Sequence, residues 1–203
     1  MNSDPLNLII TGVGGQGNVL ASRIIGECLI KKGLRVTIGE TYGLSQRGGS
    51  VMSHVRISEK GTPGPIIPRC KAHVIVSLEP IEALRTVKIY GNRNITMIVN
   101  SRPVYPLGVI AGEITYPEPA KVRKALEELS LKLFWIPATE IAIRLGHAIM
   151  SNVVLLGALA ATGLIPLERK DLLEVLPEVV PSSSKELNVT ALDLGMEAVA
   201  ITI

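Results

Sequence analysis

The sequence predicts an α/β domain: an open, mostly parallel, Rossmann-like sheet with helices on both faces and a helical C-terminal third. Three observations predict this class. A short apolar segment runs directly into a glycine cluster, strand and helix patterns then alternate, and after about residue 138 the patterns are helical. We expect residues 1–203 to form one domain, because this length suits a single core and is short for two.

The first segments predict a βαβ unit. Residues 6–11 are an apolar run typical of a buried strand, and residues 19–31 have the apolar spacing of a helix. Gly33 is placed where a glycine ends a helix, and residues 34–40 alternate as a second strand. The two strands are expected to be parallel, with a right-handed crossover.

The alternation continues along the chain. Residues 41–49 are polar and glycine-rich and predict a loop, and residues 59–68 are rich in proline and glycine and predict an irregular connection. Further strands are expected at residues 50–57, 73–77, 95–99, 109–116 and 133–136, of which 109–116 has the weakest pattern. Helices are expected at residues 79–87, 119–129, 139–145, 149–162, 167–176 and 184–200.

The segment 149–163 is apolar nearly all round a helix, and Gly157 with several alanines permits close backbone approach. Such a helix needs cover on every side. Burial in the core of this domain is the simpler interpretation, and a subunit interface is the alternative.

Composition and charge exclude several classes of protein. The 21 basic and 18 acidic residues are interspersed and give a net charge of only +3, which does not indicate a nucleic-acid binder. Residues 1–7 lack the basic and apolar regions of a secretory signal, and residues 149–166 are too interrupted for a membrane span, so we expect a cytoplasmic protein. Cys28 and Cys70 are far apart and outside any CxxC motif, so we expect no disulfide framework and no metal site.

The clearest motif is GVGGQG at residues 12–17, which contains GxGxxG between a predicted strand and a predicted helix. Its glycines allow a sharp turn and close approach of a ligand, and the helix N-terminus favours a phosphate or another anion. Glu40 ends the second strand, where a ribose-binding carboxylate lies in nicotinamide-binding folds. Dinucleotide binding and a purely structural turn both remain open on these residues alone.

A second candidate is the loop ETYGLSQRGG at residues 40–49. Its guanidinium, Arg47, can contact a phosphate or carboxylate, and both loops are expected at the carboxyl edge of the sheet. The alternative is a flexible connection with a solvated arginine. No GxSxG motif and no histidine pair with metal-ligand spacing occurs, so we assign no catalytic residue to this chain.

Four segments together resemble the gamma subunit, or gamma domain, of the 2-oxoacid:ferredoxin oxidoreductases. They are GVGGQGNVLASRIIGECL, ETYGLSQRGGSVMSHVRI, HVIVSLEPIEALR and SNVVLLGAL, and the similarity runs from about residue 7 to residue 200. The form YGLSQRGGSV looks most like the small (beta) subunit of indolepyruvate ferredoxin oxidoreductase; pyruvate, 2-oxoglutarate and branched-chain oxoacid relatives are the alternatives within the family.

The resemblance implies an oxygen-sensitive enzyme of anaerobic metabolism. Thiamine diphosphate with Mg²⁺ decarboxylates the 2-oxoacid, 4Fe-4S clusters pass electrons to ferredoxin, and coenzyme A takes the acyl group. The chain has no GDG motif with a downstream NN pair and no CxxCxxC run, so none of these cofactors is expected on this chain alone. The expected partner is a large subunit that carries them, in a heterotetramer of two large and two small chains.

The resemblance also implies that the two loops bind an anionic part of coenzyme A or substrate. Their residues are Gly12, Gly14, Gly15, Gln16, Gly17, Ser45, Gln46, Arg47, Gly48 and Gly49. Glu40 and Tyr42 would then support the second loop. Two hypotheses of other classes remain: an autonomous NAD(P)-binding oxidoreductase, and a non-catalytic scaffold module.

Overall fold

A computed structural model describes residues 3–42, 49–113, 115–181 and 184–200, with side chains omitted at residues 42, 107 and 108. Its centre is a six-stranded sheet with the strand order β2-β3-β1-β4-β5-β6. The strands are β1 (Leu6–Val13), β2 (Arg35–Tyr42), β3 (Ser50–Ser58), β4 (Val74–Ser77), β5 (Thr96–Asn100) and β6 (Lys132–Ile136).

The helices are α1 (Asn18–Lys31), α2 (Pro80–Tyr90), α3 (Leu107–Ile110), α4 (Pro119–Leu129), α5 (Ala138–Arg144), α6 (Ser151–Thr162), α7 (Arg169–Val179) and α8 (Lys185–Ala200). Several begin where the sequence has a capping signal. Pro80 and Pro119 stand in the first turns of α2 and α4, where the missing N–H is not needed. Gly33, with φ of 82°, follows α1 in the left-handed conformation expected after a helix end.

Helices cover both faces of the sheet, as predicted. Alternate strand residues such as Leu8 and Ile10 join the core formed with α1, α5, α6, α7 and α8. The intervening residues, such as Ile9 and Ile75, pack in a second core against α2 and α4. Strands β1, β4 and β5 are therefore buried on both sides, which explains their continuous apolar runs.

Strand β3 departs from the predicted pattern. It lies between β1 and β2 and is antiparallel to both, whereas β1, β4, β5 and β6 pair in parallel. The predicted β1–α1–β2 unit therefore has an inserted strand. The reason is the short connection between β2 and β3, because a parallel neighbour requires a crossover of about a dozen residues or more.

The strand predicted at residues 109–116 is wrong. The structure has the short helix α3 and a turn in this region, and Gly112 has φ of 76°. Prolines at 103, 106 and 117 and glycines at 108 and 112 prevent a regular ladder here.

The apolar helix α6 is buried inside this chain, which confirms the simpler of the two interpretations. All residues from Ser151 to Leu159 are buried. A Cβ added at Gly157 would lie 2.0 Å from the carbonyl oxygen of Leu192, and one added at Gly195 would lie 1.9 Å from that of Val154. The two glycines thus bring the backbones of α6 and α8 into direct contact.

Candidate functional site

The glycine loop follows β1 at the edge of the sheet where the parallel strands end. Gly15 and Gly17 have φ of 100° and 86°, which side chains rarely adopt, so glycine is required for this turn. Gly17 is the N-cap of α1, and its carbonyl accepts the N–H of Ala21 at 3.0 Å. Gly14 donates its N–H to the carbonyl of Gly49 at 2.8 Å. The glycine loop and the residue that precedes β3 are therefore joined directly.

The amide of Gln16 holds the loop in shape. Its Oε1 accepts the N–H of Val13 at 2.7 Å, and its Nε2 donates to the carbonyl of Leu78 at 3.0 Å. Both ends of the amide are thus engaged within the chain. Gln16 fixes the glycine loop to the end of β4.

Two buried asparagines pack around the same loop. Asn18 donates from Nδ2 to the carbonyl of Val51 at 3.1 Å, and its buried Oδ1 has no hydrogen-bond partner among the described residues. A Cβ at Gly17 would lie 2.3 Å from Nδ2 of Asn152, the second residue of α6. The absence of a side chain at Gly17 is therefore what lets α6 reach the loop.

A cavity of about 460 Å³ opens beside the loop and the first turn of α1. Its described lining consists of Val13, Gly14, Gly15, Gly17, Asn18, Val19 and Val51. The first backbone N–H groups of a helix lack intrahelical acceptors, and they carry the positive end of the helix dipole. No charged side chain belongs to this described lining. The cavity can therefore bind an anion through backbone groups, and any cationic contact must come from elsewhere.

Glu79, two residues after the end of β4, is a buried acidic residue that sequence reasoning missed. It is the N-cap of α2: its Oε2 accepts the N–H of Glu82 at 2.9 Å. Its Oε1 accepts the hydroxyl of Tyr116 and, at 3.4 Å, the N–H of Val104. Burial raises the pKa of the Glu79 carboxyl, and these hydrogen bonds oppose the shift. The signal was present, because Pro80 at the start of a helix marks the residue before it as a cap.

Two further polar contacts complete this edge. Ser50, the first residue of β3, donates its hydroxyl to Oε2 of Glu82 at 2.6 Å. Asn100, the last residue of β5, donates from Nδ2 to the carbonyl of Leu78 at 3.0 Å. The Leu78 carbonyl thus accepts from Gln16 and Asn100 together and connects the glycine loop to the end of β5.

Among the predicted site residues, the structure brings together Gly12, Gly14, Gly15, Gln16, Gly17 and Gly49. Ser45, Gln46, Arg47 and Gly48 lie outside the described residues. Glu40 pairs with Ser53 and Tyr42 with Val51, so both are on β2, and β3 separates them from β1. Glu40 is therefore two strand spacings, about 10 Å, from the glycine-loop strand. That placement does not favour a ribose contact.

In the described part of the chain, no group of three or more His, Cys, Asp or Glu side chains could hold a metal ion. Within the same residues, no helix has the length and apolarity needed to cross a membrane.

The chain is similar in sequence to subunits of two oxidoreductases that act on 2-oxoacids. Indolepyruvate oxidoreductase subunit IorB of Pyrococcus horikoshii is 39% identical over 193 residues, which is 95% of each chain. 2-Oxoglutarate synthase subunit KorC of Methanothermobacter marburgensis is 30% identical over 94% of each chain.

A solved structure shares the fold. The 2-oxoglutarate:ferredoxin oxidoreductase of Magnetococcus marinus, determined with 2-oxoglutarate, coenzyme A and succinyl-CoA bound, superposes with a TM-score of 0.74 at 20% identity. The match covers 98% of the present chain and 32% of that longer one. The family model of pyruvate ferredoxin/flavodoxin oxidoreductase matches residues 7–198. The chain therefore belongs to the pyruvate ferredoxin/flavodoxin oxidoreductase family.

Proposed function

We propose that this chain is the small subunit of an indolepyruvate:ferredoxin oxidoreductase. The observation that carries the proposal is the difference between its relatives: 39% identity to an indolepyruvate oxidoreductase subunit against 30% to a 2-oxoglutarate synthase subunit, over nearly the same length. The resemblance of the second loop, YGLSQRGGSV, to the indolepyruvate type supports the same substrate class.

The reaction is the oxidative decarboxylation of an aryl 2-oxoacid. The bond between the carboxylate and the oxo carbon breaks to release CO₂, and two electrons reduce two ferredoxins. The acyl group forms a thioester with the thiol of coenzyme A, which releases its proton. Thiamine diphosphate with Mg²⁺ and 4Fe-4S clusters, held by a large partner subunit, would supply the decarboxylation and electron-transfer chemistry. The small subunit contributes shape, an interface and anion-binding loops.

The glycine-loop cavity is the proposed anion site of this subunit. Its backbone N–H groups at the start of α1 suit a phosphate of coenzyme A or the carboxylate of the oxoacid. The described lining supplies no cation, so the guanidinium of Arg47 is proposed as the charged contact from the second loop. Gly49 supports this assignment because its hydrogen bond to Gly14 joins the base of that loop to the glycine loop.

The test is anaerobic co-expression of the chain with its candidate large subunit, followed by a dye- or ferredoxin-reduction assay with coenzyme A. We expect turnover with indolepyruvate to exceed turnover with pyruvate and 2-oxoglutarate. Preference for one of the latter would replace the substrate assignment. A chain that purifies alone and binds a reduced nicotinamide would replace the subunit assignment.

The Arg47 contact has its own test in the assembled enzyme. Replacement of Arg47 by Ala should raise KM for coenzyme A or for the oxoacid by about tenfold, as expected for loss of a charged hydrogen bond. Arg35→Ala is the matched control, because Arg35 lies at the other end of β2 and donates to the carbonyl of Lys60. Unchanged KM values for both substrates in Arg47→Ala would exclude this contact.

A further inference from the structure

The connection between β5 and α4 carries an unusual surface. Residues 103–112, here called the apolar arm, read PVYPLGVIAG and include no charged residue. Tyr105 is 50% exposed and Ile110 is 71% exposed, and Val104 is exposed as well. Scattered exposed apolar residues are ordinary, but an uncharged stretch of this length with several exposed apolar side chains is typical of an interaction surface.

At the opposite edge of the sheet, where the parallel strands begin, the exposed apolar residues have charged neighbours. Leu131, at the amino end of β6, is 69% exposed, but Lys132 follows it directly. Ile89 is exposed next to Lys88. Apolar residues there are isolated among charges, whereas those of the apolar arm are not. The cores of protein interfaces are depleted in charged residues and enriched in tyrosine, which matches the arm and not the opposite edge.

Polar contacts hold the first residues of the arm, and the chain just beyond its other end, on Glu79. Glu79 accepts the Val104 N–H at one end and the hydroxyl of Tyr116, beyond the other end, on the same oxygen. The rings of Tyr105 and Tyr116 pack edge to face with centroids 5.1 Å apart. Burial and the neighbouring carboxylate raise the pKa of the Tyr116 hydroxyl, so it stays protonated and donates. The apolar side chains are therefore presented on an anchored segment, which lowers the ordering cost of binding.

The arm also lies on the same edge as the glycine loop. The arm begins three residues after Asn100. The Nδ2 of Asn100 and the Nε2 of Gln16 both donate hydrogen bonds to the carbonyl of Leu78. A partner bound to the arm would therefore lie at the same edge of the sheet as the cavity at the start of α1.

We infer that the apolar arm is a docking surface for the large subunit of the same oxidoreductase. The inference rests on the proposed function and adds where the partner binds. The length of the Magnetococcus marinus chain supports this occupant, because the fold makes up only 32% of it and is there joined to a much larger polypeptide. The position of the arm at the same edge of the sheet as the proposed anion site supports it too, since the cofactors of the partner must reach the ligand bound there.

The test measures binding of the full-length small chain to the large subunit, by sedimentation of anaerobic mixtures over a range of concentrations. Ile110→Glu places a charge at the most exposed of the arm's described apolar residues and should raise Kd at least about tenfold, because a buried unpaired charge is strongly unfavourable. Leu131→Glu is the matched control, equally exposed on the opposite edge, and should leave Kd within about twofold. Tyr105→Ala provides a second arm variant, and thermal unfolding of each free variant reports whether it is folded.

The outcomes separate the docking surface from the proposed function. If the unmodified chain binds and the two folded arm variants bind equally well, the docking surface is wrong and the subunit assignment stands. An equal loss of binding in Leu131→Glu would also overturn it. If the free chain forms a dimer that Ile110→Glu abolishes without weakening the large-subunit complex, the arm binds a second copy instead. If the unmodified chain binds no large subunit, both proposals fail.

Discussion

The glycine loop and the crossing of α6 with α8 both depend on glycine, but for different reasons. At Gly17 the space of a side chain is filled by the amide of Asn152, and the backbone is left-handed. At Gly157 and Gly195 it is filled by backbone carbonyl groups of the opposite helix. The loop thereby keeps backbone N–H groups available beside a cavity, whereas the crossing leaves no space at all.

The two regions share one helix. The first turn of α6 carries Asn152 to the glycine loop, and Gly157 in the same helix contacts α8. The helix that completes the core therefore also positions the loop. A change at the crossing is expected to reach the site through α6, and a change at Gly17 is expected to reach the same helix through Asn152.

The largest effect is expected at the crossing. In Gly195→Ala the new Cβ would lie 1.9 Å from the carbonyl oxygen of Val154, so the two helices must move apart. We expect a loss of about 3 kcal/mol or more in the free energy of unfolding, as for strong overpacking of a core. For a domain of this size that lowers Tm by about 6–12 °C in thermal unfolding. Ala161→Ser, at an exposed position near the end of α6, is the control, and a Tm for Gly195→Ala equal to that of the control would contradict the close crossing.

An intermediate effect is expected at Gly17. Gly17→Ala combines a left-handed backbone with a contact of 2.3 Å to Nδ2 of Asn152, and we expect a loss of about 2–3 kcal/mol. Because this obstacle is a side chain, adding Asn152→Ala should recover part of the loss in a double-mutant cycle. No truncation of a side chain should rescue Gly195→Ala, where the obstacle is backbone. Simple additivity of Gly17→Ala and Asn152→Ala would show that the amide does not occupy the space at Gly17.

The smallest effect on stability is expected at Gly15. Its φ is 100°, but a Cβ there would meet no atom within 4 Å, so only the backbone conformation is penalised, by about 1 kcal/mol. Gly15 lines the cavity, however, so Gly15→Ala should raise KM for coenzyme A or the oxoacid in the assembled enzyme. Steady-state kinetics beside thermal unfolding separates the two effects. A large fall in Tm with unchanged KM would place Gly15 with the packing glycines.

Much of this architecture could be predicted from local sequence. The glycine cluster after residues 6–11, the helix that follows it and Pro80 at the start of α2 are local signals, and the structure confirms the elements that they indicate. The same signals place the glycine loop at the carboxyl edge, where the structure has it.

The remaining features depend on pairings between distant segments. Nothing local to Asn152 shows that it packs on Gly17, and Glu79 meets Tyr116 only because the chain returns after β5. The strand predicted at residues 109–116 was wrong because its weak strand pattern lies among prolines and glycines that do not allow a regular ladder. Sequence periodicity indicates the helices and strands themselves, but it does not indicate the polar contacts between them.

The insertion of β3 between β1 and β2 affects how the chain can assemble during synthesis. Strand β1 and helix α1 precede β2, but β2 lies at the edge of the sheet and pairs only with β3 in the described part of the sheet. A nascent chain that ends at Tyr42 would hold two parallel strands that never touch each other. Strand β2 can therefore join the sheet only after β3 has been synthesised, and the glycine loop reaches its hydrogen bond with Gly49 only then.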